Sequence, residues 1–77
     1  MTAVTDYAFD NPVRLRETGR LIRTAAQAAD IVRSCMRIRF SMQGLTTVLM
    51  LERALAGDEV EEARVAFFAW ATQEGLA

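Results

Sequence analysis

Lysine and histidine are both missing from this chain, so all nine of its basic residues are arginine. Without histidine it lacks the commonest metal ligand and the commonest general base. A single cysteine, Cys35, excludes an internal disulfide, and a single proline, Pro12, leaves little to break secondary structure after it. No run approaches the 18 or so apolar residues of a membrane span. The longest is the seven-residue stretch Val65-Ala66-Phe67-Phe68-Ala69-Trp70-Ala71. The first ten residues show neither the basic start nor the apolar centre of a secretory signal. One cysteine and no export signal point to a reducing, cytoplasmic setting, with no membrane partner.

What is present is apolar. Of 77 residues 52% are hydrophobic, the net charge is -1 and the mean hydropathy is +0.11. That composition excludes intrinsic disorder, which needs low hydrophobicity and high net charge. The length allows one domain, residues 1–77. In a chain this short, burial and ordering entropy nearly cancel. Apolar residues beyond what a small core holds become a surface patch, and such patches mark interfaces.

Residues 1–11 read as an extended lead-in closed by Pro12. Residues 13–23 read as a β-hairpin: Val13 and Leu15 alternate with Arg14 and Arg16, and Gly19 supplies the turn. The return strand has two possible phases, because Leu21 and Ile22 are adjacent. Three helices follow, over 25–38, 45–56 and 59–74. Thr24-Ala25-Ala26-Gln27 forms a capping box in which Gln27 reaches back to the Thr24 amide. Ala25, Ala28, Ala29, Val32, Cys35 and Met36 make the inward stripe of the first helix. The second helix is apolar nearly all round, and Gly57 ends it. Asp58 caps the third, with Val60, Ala63, Phe67, Trp70 and Ala71 facing inward. The fold class is therefore α+β, an N-terminal two-stranded antiparallel hairpin packed on three α-helices.

Several pieces together resemble a family of short bacterial proteins, domain of unknown function 982. They are Phe9-Asp10-Asn11-Pro12-Val13, Gly19-Arg20, Thr24-Ala25-Ala26-Gln27-Ala28-Ala29, Ala54-Leu55-Ala56-Gly57 and the stretch from Ala63 to Ala71. The resemblance spans about residues 9 to 75. It departs at Arg39-Phe40-Ser41, where the family carries a Trp-Pro pair. The resemblance implies no activity and no functional residue.

Arg14, Arg16, Arg20 and Arg23 are the candidate contacts for an anion or nucleic acid, since arginine is the usual reader of phosphate and guanine. Against this stands a pI near 5.3. The acids Asp58, Glu59, Glu61 and Glu62 lack the spacing of a calcium loop and read as helix capping, so no metal and no cofactor is expected. Cys35 has no histidine to serve as its base. Arg64 is the candidate for a structural ion pair. Met50, Leu51 and Phe68 are the candidate self-association surface. The leading expectation is a small non-enzymatic interaction or regulatory module that forms a homodimer or binds a small protein partner. The alternative is a nucleic-acid-binding regulator using the hairpin.

Overall fold

The computed structural model describes residues 8–77. Its elements are β1 (Ala8–Arg14), β2 (Leu21–Thr24), α1 (Ala25–Ile38), α2 (Met42–Ala54) and α3 (Val60–Gln73). This is the expected α+β order of hairpin and three helices. β1 packs on α3, β2 packs on α1, and α2 meets both of the other helices.

The strands are antiparallel, with Val13 opposite Ile22 and Arg14 opposite Leu21. The turn closes with the Leu15 amide donating to the Arg20 carbonyl at 2.8 Å, and Gly19 takes φ 70°. Ile22 is fully buried and Leu21 is not, which fixes the phase of the second strand. The first strand begins at Ala8, five residues before the hairpin expected from the sequence, so all of the described lead-in is strand. The remaining lead-in, residues 1–7, lies outside the described residues. The alternation signal is lost before Val13 because the pairing is irregular there: four residues lie between Ala8 and Val13 where one lies between Ile22 and Thr24. Pro12, which has no amide to donate, sits in that irregular stretch, where a strand tolerates it. Phe9 nevertheless reaches the core.

Thr24 caps α1 by accepting from the Gln27 amide at 3.2 Å. The reciprocal arm differs from the expected box. Gln27 Oε1 accepts from the amide of Arg23, not Thr24, at 2.8 Å. α2 starts three residues early, at Met42, because Ser41 caps it through the Gly44 amide at 2.9 Å. Its last helical residue is Ala54; Gly57 follows at φ 87°. α3 begins without the expected Asp58 cap. Glu59 holds the N-cap position at φ 53° with no side-chain capping bond, and Asp58 turns to Arg53 at 3.2 Å instead. A left-handed backbone at a glutamate carries strain that glycine would not.

The core is built from Phe9, Val13, Ile22, Ala25, Ala28, Ala29 and Val32 of α1, Val48 and Leu51 of α2, and Phe67 and Trp70 of α3. Phe67 and Trp70 lie one turn apart with ring centroids at 6.0 Å. The alanines of α1 let the hairpin and the other helices approach closely, and the two large aromatics fill the volume those alanines leave.

Candidate functional site

Three surfaces carry the chemistry: the outer hairpin, the corner between α1 and α2, and a groove under the hairpin turn.

Because Val13 and Ile22 face the core, period-two geometry turns Arg14, Leu21 and Arg23 to the other face of the ribbon. The four hairpin arginines do not form one row. Arg14 and Arg23 share the outer face. Arg16 turns towards the segment after α3, its amide donating to the Leu76 carbonyl at 2.6 Å. Arg20 lines the groove under the turn. All four are exposed, and none makes an ion pair among the described residues.

The remaining arginines are mostly paired. Arg33 on α1 meets Glu52 on α2 at 2.8 Å, and Arg39 after α1 meets Glu74 after α3 at 2.7 Å. Residues 12–40 hold seven arginines against Glu17 and Asp30, and residues 41–77 hold six acids against Arg53 and Arg64. Both bridges join these two stretches, so their opposite charges meet partly inside one chain. Arg64 forms a two-pronged bond with Glu61, Nε to Oε1 at 3.0 Å and Nη2 to Oε2 at 2.6 Å. This is an ion pair within one helix, three residues apart. The hydrogen bond from Arg64 holds the Glu61 carboxyl below its usual range, and the same bond raises Arg64.

The expected self-association surface separates. Leu51 has no exposure at all; it is core, because it lies on the side of α2 that packs against α1 and α3. Met50 is half-buried against the same core. Phe68 is 49% exposed on the outer side of α3, one turn from Val65. The larger apolar exposure lies elsewhere. Ile38 is 90% exposed, Phe40 62% and Met42 68%, all within five residues at the α1–α2 corner. Leu49, two turns after Met42 on the same side of α2, continues the patch. Beside it runs a shallow depression of about 330 Å³ floored by Met36, Leu45 and Val48 and edged by Arg33 and Arg37. The sequence leaves Phe40 and Met42 between its first two expected helices, where apolar side chains read as anchors of a connector. Their exposure in the structure shows that they point outward.

The groove under the turn is about 490 Å³ and lies between the turn, α1 and Leu76. Cys35 lines it. Burial pushes its thiol above its usual range, Glu74 adds to the rise, and Arg39 opposes it. A thiol held protonated is a poor nucleophile. Among the described residues no group of three cysteine, aspartate or glutamate side chains is placed to hold a metal ion. No described helix is long and apolar enough to cross a membrane.

No family model, curated protein or solved structure matches the chain.

Proposed function

We propose that this chain is a small non-enzymatic interaction module of the cytoplasm that self-associates through the α1–α2 corner. The observation that carries the reading is the exposure of Ile38, Phe40 and Met42, three alternate residues at the corner, extended by Leu49. Water-facing apolar side chains gathered this densely on so small a body are costly alone and useful against a partner. A second copy is the simplest partner, because a two-fold contact matches one patch to itself. Arg33 and Arg37 edge the adjoining depression and Glu52 lies against Arg33, so the rim carries both signs of charge for a polar border. The mass in solution tests the reading: a dimer that falls apart when Phe40 and Met42 are made polar supports it. The resemblance to domain of unknown function 982 is proposed with it and rests on the sequence pieces alone.

A second reading is nucleic-acid binding. It is favoured by the four hairpin arginines, none of them in an ion pair among the described residues, with Arg14 and Arg23 on the same outer face. Anisotropy of labelled duplex DNA and single-stranded RNA decides it. Binding that weakens steeply with salt supports phosphate neutralisation. No binding at low salt removes the reading.

A further inference from the structure

The groove under the hairpin turn has the size of a small-molecule site, about 490 Å³, within the usual range of roughly 300–1,000 Å³. Its lining has two parts. Leu15, Ile31 and Leu76 give an apolar floor. Arg20, Glu17 and Asp30 bring opposite charges to the same enclosure.

These charges are not spent on each other. Arg20 and Glu17 make no ion pair among the described residues. Asp30 has only a 3.9 Å contact with Arg33, whose close partner is Glu52 at 2.8 Å. A simple anion entering the groove meets Arg20 but is repelled by two carboxylates. A simple cation meets the reverse. A molecule carrying both charges, with an apolar body, matches both signs of charge and the three apolar side chains of the lining.

We propose that this groove binds an apolar α-amino acid as its zwitterion. Arg20 takes the carboxylate, since its planar fork suits that group. Asp30 and Glu17 take the ammonium. Leu15, Ile31 and Leu76 cover the side chain. This site is separate from the α1–α2 corner and does not depend on self-association there.

Cys35 provides the readout, because it lines the groove and is the sole cysteine of the chain. The rate at which iodoacetamide alkylates it is followed by mass spectrometry at fixed pH. The probes are L-phenylalanine, phenethylamine, 3-phenylpropionate and glycine, each up to tens of millimolar. With the groove nine-tenths occupied, L-phenylalanine slows alkylation about tenfold, since only the empty fraction reacts. The amine, the acid and glycine each lack one part of the match and protect far less. Arg20→Gln and Asp30→Asn, both surface changes, each remove the protection while circular dichroism stays unchanged. The proposal is overturned if L-phenylalanine gives no protection, if any of the three partial probes protects as well, or if Arg20→Gln leaves protection intact.

Discussion

Gly44 lies so close to Trp70 that a Cβ built on it stands 3.3 Å from the indole Nε1. The same carbon would stand 2.5 Å from the Met36 sulfur and 3.0 Å from the Ser41 hydroxyl that caps the helix. A glycine inside a helix ordinarily costs about 1 kcal/mol relative to alanine. Here the missing side chain is what lets the start of α2 seat against α1 and α3.

Gly44→Ala therefore lowers stability instead of raising it. Met36 swings aside at small cost, but the indole and the cap do not. The gain in helix propensity is outweighed by overpacking, which costs roughly 1–3 kcal/mol. The net effect is a loss of about 1 kcal/mol, read from the midpoint of urea unfolding. An increase in the midpoint contradicts the packing described at this position.

Leu51 and Leu49 separate core from surface on one helix. Leu51→Ala opens a hole among the packed helices and costs about 2–5 kcal/mol. Leu49→Ala, at a 52% exposed position, stays within about 0.5 kcal/mol for the monomer. Equal losses at both positions, measured by denaturant unfolding at low protein concentration, contradict the burial of α2 described above.

The Arg64–Glu61 bond predicts a pH effect of definite sign. The folded state holds Glu61 below its usual range, chiefly through the hydrogen bond from Arg64. Its contribution is then fully present above the ordinary carboxylate range and is lost as pH falls through the lowered value. Glu61→Gln lowers the melting temperature slightly at neutral pH and makes no difference once the pH is below both values. The check is a pair of melting curves against pH. A difference that grows on acidification contradicts the pairing.

Much of the fold is legible in the sequence because its signals are local. Thr24 with Gln27, and Gly57 after an apolar run, mark helix ends through bonds between near neighbours. The inward stripe of α3 follows from spacing alone. The start of α2 is less readable. Ser41 caps it, but the residue three positions on is glycine, which reads as a breaker until Met36 and Trp70 are seen against it. Asp58 is a good cap by type, yet the tight turn after Gly57 puts Glu59 in the cap position. The surface is the least readable part. Leu51 and Leu49 are the same residue two positions apart, and only the packing of α1 and α3 shows which of them meets water. The hairpin arginines look like one row in the sequence, whereas the turn and the pull of Leu76 on Arg16 scatter them.

Self-association of two copies through the α1–α2 corner, as proposed above, is open to direct test. Sedimentation velocity over a concentration series, on the native chain and on a Phe40→Ser, Met42→Ser variant, tests it most directly. Both substitutions fall at positions more than 60% exposed, so the variant keeps its circular dichroism. The expected result is a native dimer and a folded, monomeric variant. A native chain that stays monomeric up to high micromolar concentration, or a variant that dimerises as the native chain does, contradicts it.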